Sequence, residues 1–226
     1  MLRRRWVKPL VWVLCLAPFA WLAGRVSVVF GLIPADAIGG VFSRGNPIAN
    51  PLEYITHFTG DWTIRFLVFT LAVTPLRKLL RLPDLIRFRR MLGLFAFFYG
   101  SCHFLTWLWL DKLFDVHEML KDVAKRPFIT AGFTALVLML PLAATSTAGS
   151  IRRLGGKRWR ALHRLVYLSA IAGVVHYYWL VKSDVRLPVF YGTLVGLLLL
   201  YRVVVWMVAE YGRRGAVVKQ RTAAPV

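Results

Sequence analysis

Carboxylates are scarce in this chain: ten Asp and Glu stand against 30 Lys and Arg, for a formal net charge of +20 over 226 residues. None of the ten falls deep inside an apolar run; Asp61 and Glu210 stand at run ends. This argues against a proton-coupled transporter, whose relay needs carboxylates within the bilayer and interrupted helices around them. Cysteine is rarer still, with Cys15 and Cys102 each inside an apolar stretch, which leaves neither a disulfide framework nor thiolate metal spacing. Polar segments long enough to build a soluble core are missing as well. The basic residues therefore lack the polar surroundings of a nucleic-acid module, and no nucleic-acid partner is expected.

What the chain has in abundance is apolar sequence, 58% of its residues, divided into six runs: 6–23, 62–76, 91–110, 128–144, 162–181 and 188–209. Each is long enough, or nearly so, to cross a membrane as a helix. Residues 35–37 (Ala-Asp-Ala) have the small-x-small look of a signal-peptide cleavage site, but the first run counted from Trp6 suits a retained span. The charges sort by side. With the amino terminus inside, the inner segments hold 20 of the 30 Lys and Arg and the outer ones nine, with Arg202 inside the last run. Eight of the ten acids fall outside. The positive-inside rule then predicts an all-α, integral membrane six-helix bundle with both termini cytoplasmic. The whole chain, 1–226, reads as a single transmembrane domain with a core at 60–208 and cytoplasmic tails at 1–8 and 210–226, the second polar and disordered.

The histidines have depths. His163 and His176 stand near the two ends of the fifth run, about 20 Å apart along a helix axis. His103 lies in the third run in the same local setting, Gly100-x-x-His103 against Gly173-x-x-His176. The third and fifth runs cross in the same direction. His103 lies as far beyond Arg90 as His176 lies beyond His163, so His103 and His176 share a depth near the outer face. His163 sits at the inner face, level with Arg90. Two imidazoles at one depth can clamp a haem iron with both axial positions filled, which suits electron transfer. Gly100 and Gly173 lie one turn below each ring, where a missing side chain lets a flat macrocycle approach the backbone. A single histidine here would be explained by a hydrogen bond between helices; a matched pair is not. Aromatics flank both sites: Phe104, Trp107 and Trp109, and Tyr177, Tyr178 and Trp179. His57 and His117 are expected in outer loops, in water.

Six stretches then carry a resemblance: Arg89-Arg90-x-Leu92-Gly93-Leu94; Gly100-x-x-His103; Leu142-Ala143-x-Thr145-Ser146; Leu154-Gly155; Trp159-x-x-Leu162-His163-x-Leu165-x-Tyr167; and His176-Tyr177-x-Trp179. Over about 60–208 the chain resembles the ferric-reductase-like transmembrane domain. Within that family it is most similar to the haem-binding subunits of bacterial periplasmic protein-methionine-sulfoxide reductases. The resemblance implies a multi-pass protein of the bacterial inner membrane that carries haem b and FMN. It implies that electrons pass from the quinone pool to a separate periplasmic molybdopterin-dependent (molybdenum-cofactor) methionine sulfoxide reductase catalytic subunit, which repairs oxidised proteins. The chain would then be an electron-transfer subunit, with the catalytic centre on its partner. By position, His103, His163 and His176 match the family's haem-associated histidines. Oxidase relatives have a second, inner histidine on the third span where this chain has Arg90, which argues against a second bis-histidine haem.

A flavin phosphate needs cations, and Arg77, Lys78, Arg89, Arg90, Arg152 and Arg153 are available at the inner face, with membrane lipid headgroups competing for them. No Gly-rich nucleotide fingerprint follows the sixth run, so electrons are expected from a lipid-soluble donor or a separate protein. A stand-alone transmembrane ferric or metal reductase is the alternative reading.

Overall fold

The computed structural model describes residues 6–36, 40–43 and 48–222, with side chains through 213. Arg3, Arg4 and Arg5, Ala37 of the cleavage-like triplet, and the Gly39 and Asn46-Pro47 turn signals lie outside the described residues. All regular structure among the described residues is helical. The chain runs through α1 (Val7–Val29), α2 (Pro51–Leu79), a 3₁₀ turn (Pro83–Leu85), α3 (Ile86–Leu105), a π-helical turn (Thr106–Asp111), α4 (Val116–Lys125), α5 (Pro127–Ala144), α6 (Ala148–Leu162), α7 (Leu165–Leu180) and α8 (Arg186–Thr222).

Local chemistry sets the starts. The Asn50 side chain accepts the Glu53 N–H at 3.3 Å ahead of Pro51. Asp115 does the same for Glu118 at 3.1 Å, and Thr147 for Ser150 at 3.0 Å. Each cap satisfies a donor that the first helical turn leaves unpaired. Two tight helix pairs, α2 with α3 and α5 with α7, are joined by contacts of α3 with α5 and of α2 with α7. The core between α2 and α3 is aromatic: Phe66 stacks on Tyr99 at 5.3 Å and on Phe95 at 5.6 Å. α1 leans on α2 and α3, and α8 on α7 and α2. One end of this bundle carries α4, the other α6.

Both outer helices are tied to the core where a proline breaks a hydrogen-bond ladder. In α1, just past Pro18, the Tyr99 hydroxyl donates to the Cys15 carbonyl at 2.9 Å and accepts the Phe19 N–H at 3.0 Å. Those two backbone groups are an i, i+4 pair that would otherwise meet each other. In α2, Pro75 has no N–H to offer the carbonyl of Leu71. Arg202 of α8 supplies one instead, at 2.5 Å, while also donating to Leu198 O at 2.6 Å.

Among the described residues, four stretches are long and apolar enough to cross a membrane: Val7–Val29, Pro83–Asp111, Pro127–Ala144 and Arg186–Arg213. α7 is apolar but has 16 residues, and α2 carries Glu53, His57, Asp61 and Arg65 along its first half. Those residues explain an error of the sequence reading, which placed a loop up to Asp61. They recur every four residues, so they form one polar stripe on a helix that starts at Pro51. His57 is therefore on α2, and His117 on α4, rather than in loops; both are exposed. The basic connection before the fifth run is mostly helix as well, since α6 spans Ala148–Leu162 with a break at Gly155 (φ +73°), a conformation that favours glycine. The tail expected to be disordered continues α8 through Thr222.

Two outcomes are expected. Arg202→Leu should lower stability by about 1–3 kcal/mol, the cost of a buried carbonyl left unpaired, and should cost less in a Pro75→Ala background, where the substitution restores a backbone N–H to the helix. Thermal denaturation in detergent reads both, and equal costs in the two backgrounds refute the coupling. In the α4 segment, Lys112 donates to Asp122 at 2.5 Å and Arg126 adds its charge at 3.3 Å, which together hold the Asp122 carboxyl below the usual carboxylate range. A depressed carboxylate stabilises the ordered segment above its unfolded value, and that stability is lost as pH falls through the depressed one. Amide protection across 116–125 should therefore fall on acidification below the ordinary carboxylate range, and Asp122→Asn should already lack the stabilising contribution at neutral pH.

Candidate functional site

The four core helices enclose a cavity of ≈ 350 Å³ toward the α4 end. Thr56, Gly60 and Thr63 line it from α2, Gly100 and His103 from α3, Gly132 and Met139 from α5, and Gly173 and His176 from α7. The two histidine rings face each other across it, with centroids 6.0 Å apart and planes at 76°. The shared depth read from sequence is thus realised as a facing pair.

Each ring is held in the same way. His103 Nδ1 lies 2.9 Å from the Thr56 carbonyl on α2, and His176 Nδ1 lies 2.6 Å from the Phe128 carbonyl on α5. A carbonyl oxygen can only accept, so Nδ1 is the protonated nitrogen of each neutral ring and Nε2 carries the lone pair. Among the described residues neither Nε2 has a hydrogen-bond partner. In both cases a glycine stands four residues after the accepting carbonyl, Gly60 after Thr56 and Gly132 after Phe128. A Cβ on Gly132 would stand 2.6 Å from His176 Nδ1, and one on Gly60 3.2 Å from His103 Nδ1. The missing side chains let each imidazole lie against the backbone of the neighbouring helix.

These two glycines are not legible in the sequence. They sit on different helices from the histidines they serve, and a glycine in an apolar helix usually signals only close packing. Gly100 and Gly173, which the sequence does single out, line the cavity. A Cβ on Gly100 would meet Met139 at 3.2 Å, and one on Gly173 would meet Ile64 and Leu67 at 3.9 Å. Of the flanking aromatics, Phe104, Trp107 and Tyr177 line the cavity, whereas Trp109, Tyr178 and Trp179 face outward. His57 and Asp61 border its α4 end, beside Asp111 and Arg126. Asp61 is paired with Arg65 at 3.4 Å, and Arg65 Nε donates to the Tyr191 hydroxyl at 3.1 Å.

His163 does not join the pair. It caps α6 at the other end, its Nε2 bonded to the Thr145 hydroxyl at 3.0 Å and its ring stacked on Trp159 at 3.9 Å. Trp159 in turn donates to the Thr145 carbonyl at 3.0 Å. Arg77 and Arg90 also lie toward this end, in the last turn of α2 and the early part of α3, and neither lines the cavity. Arg89, rather than Arg90, acts electrostatically on His163.

Two nitrogen donors make a poor site for a bare ion, and no cluster of three His, Cys, Asp or Glu suited to a metal occurs among the described residues. They fit an iron that brings its equatorial ligands in a macrocycle. With imidazole–metal bonds of about 2 Å and roughly 1.1 Å from ring centre to nitrogen, two rings on one iron have centres about 6 Å apart.

The family described as the ferric reductase like transmembrane component matches residues 59–174, which hold Gly60, Gly100, His103, Gly132 and Gly173 of the cavity wall and leave Thr56 and His176 just outside. The chain belongs to this family. Among its relatives are protein-methionine-sulfoxide reductase heme-binding subunits named MsrQ. The one from Herminiimonas arsenicoxydans is 54% identical over 199 residues, covering 87% of this chain and 84% of its own. That of Ralstonia nicotianae is 49% identical over 215 residues (94% and 91%), and that of Caulobacter vibrioides 44% over 194 residues (86% and 85%). No solved structure matches. The chain is a multi-pass protein of the bacterial inner membrane.

The ring-on-glycine geometry makes a graded prediction. Gly132→Ala should weaken haem retention about tenfold or more, the usual cost of disturbing a ligand's supporting hydrogen bond, Gly60→Ala less, and Gly173→Ala least. Haem titrated into the purified variants reads this order, and equal retention in Gly132→Ala and Gly173→Ala contradicts it.

Proposed function

We propose that the chain is the haem-binding membrane subunit of a periplasmic methionine sulfoxide reductase system, passing electrons from the quinone pool to a molybdopterin-dependent catalytic subunit that repairs oxidised proteins. The observation that carries this is the facing pair His103 and His176, with both Nδ1 protons committed to backbone carbonyls and both Nε2 nitrogens left to bind. The relatives' names point the same way, since each is called a heme-binding subunit of that reductase.

In this reading His103 and His176 would hold haem b, which would supply a one-electron couple. The protein's part is to fix the two rings. Thr56 and Phe128 set the tautomer and raise the basicity of each ligand, Gly60 and Gly132 admit the rings, and Gly100 and Gly173 keep the wall flat. All six apolar runs span the bilayer. α2 qualifies because Asp61 and Arg65 of its polar stripe pair with each other and His57 and Asp61 border the cavity mouth, and α7, though short, because α5 packs closely along it. The α4 end is then periplasmic and the α6 end and both termini cytoplasmic, following the basic residues. Electrons enter from the α6 end. There the basic groups, Arg77 and Arg90 among them, are suited to an FMN phosphate, and His163 with Arg89 to a flavin or quinone contact.

His103→Ala and His176→Ala should each abolish the reduced b-type absorption bands of the purified protein, and His163→Ala should keep them. Normal bands in both of the first two variants would refute the assignment.

A further inference from the structure

We propose that Arg126 anchors a haem carboxylate, turning the propionate edge toward the α4 mouth of the cavity. The inference rests on the haem reading above and goes beyond it in fixing which way round the group sits. Haem carries two carboxylates, and the two ends of this cavity treat them differently. Toward α6 the wall is made by Ile64, Leu67, Leu136 and Met139, where a carboxylate would be buried with no partner, a costly arrangement. Toward α4 the wall is made by His57, Asp61, Asp111 and Arg126, and the cavity opens into a second recess that shares Thr56, His57, Trp107 and Asp111.

Of those four polar residues Arg126 alone carries a permanent positive charge. The two acids are already matched, Asp61 by Arg65 at 3.4 Å and Asp111 by Lys112 at 3.6 Å. Arg126 is held in reach but not used up. Its contact with Asp122 runs through Nε at 3.3 Å, and Asp122 also takes Lys112 at 2.5 Å on its other oxygen. Asp122 keeps its contact with Lys112, shared with Asp111, when the guanidinium turns, and donors on both Nη groups remain for a second carboxylate. Arg126 precedes by two residues the carbonyl that holds His176, so it is covalently fixed beside one of the two rings. No side chain caps the α5 N-terminus that follows it, so the helix dipole has the same sign.

The test uses the full chain in detergent, with the Arg126→Gln and Arg126→Lys variants. In Arg126→Gln the b-type bands should stay in place, haem should pass to excess apomyoglobin about tenfold faster than from the wild type, and the midpoint potential should fall. Arg126→Lys should lie between. Haem dimethyl ester, which lacks the carboxylates, should leave the wild type about tenfold faster than haem does and should leave wild type and Arg126→Gln at equal rates. Wild-type haem retention in Arg126→Gln, or a difference between the variants that persists with the ester, overturns the proposal. If Arg126→Gln does not fold, the comparison of haem and ester in the wild-type chain decides it, equal loss refuting it. Failure of the haem reading itself appears elsewhere, as bands that survive in His103→Ala and His176→Ala.

Discussion

An imidazole N–H inside a bilayer has no water to turn to, and this fold answers with a carbonyl of the neighbouring helix. The rest of the site follows from that one bond. It fixes Nδ1 as the protonated nitrogen, so the lone pair sits on Nε2 and the ring becomes a ligand with a defined direction. It requires the two backbones to approach within reach of a single ring; at Gly132 a Cβ would collide with that ring, and at Gly60 it would press on it at 3.2 Å. It also explains the pairing of the helices. α2 holds the histidine of α3, and α5 holds that of α7, and these are the pairs that pack most closely. The cavity is what remains between two such units set face to face.

The sequence makes part of this legible. The His103 and His176 depths follow from counting residues along two runs of known direction, and direction follows from where Arg and Lys accumulate. Gly100 and Gly173 are legible because they lie on the same helices as the histidines, one turn away. Gly60 and Gly132 are not, because their meaning exists only when a second helix is placed against them. The first three turns of α2 were hidden for a different reason. Glu53, His57 and Asp61 are polar residues in a stretch flanked by Asn-Pro, and a search for apolar runs discards them. Their four-residue spacing was the available signal, and it marks a helix whose polar stripe faces its own bundle and the cavity mouth.

The two ends of the bundle solve their charge problem differently. At the α4 end acids and bases are matched within short reach: Asp61 with Arg65, Asp111 and Asp122 with Lys112, and Asp122 again with Arg126. At the α6 end Arg77, Lys78, Arg87, Arg89, Arg90 and the basic residues of α6 outnumber the acids found there among the described residues, Asp84 and Glu210. Unmatched cations at the end of a membrane bundle are satisfied by lipid headgroups or by an anionic ligand. Matched ones are a property of the protein alone, and they hold a loop in place. Defined geometry is thus to be sought at the α4 end and ligand-dependent order at the α6 end.

Arg202 shows why an intramembrane charge is not by itself a functional residue. A lone arginine half-buried in the last helix, with no carboxylate beside it, invites a relay or an ion path. Its two short bonds give a different cause. Pro75 leaves the Leu71 carbonyl of α2 without a helical donor, and in the bilayer such a group costs several kcal/mol unless something donates to it. Guanidinium has donors to spare and a planar fork that reaches Leu71 and Leu198 at once, while its face lies over the Tyr167 ring at 5.4 Å. Beside Pro18 the Tyr99 hydroxyl both donates and accepts, bridging the next carbonyl and N–H along the helix. At Pro75 the proline creates the vacancy and a long polar side chain from another helix fills it. The peripheral helix is thereby fixed to the core at one height, by a bond that hydrophobic contact with lipid cannot replace.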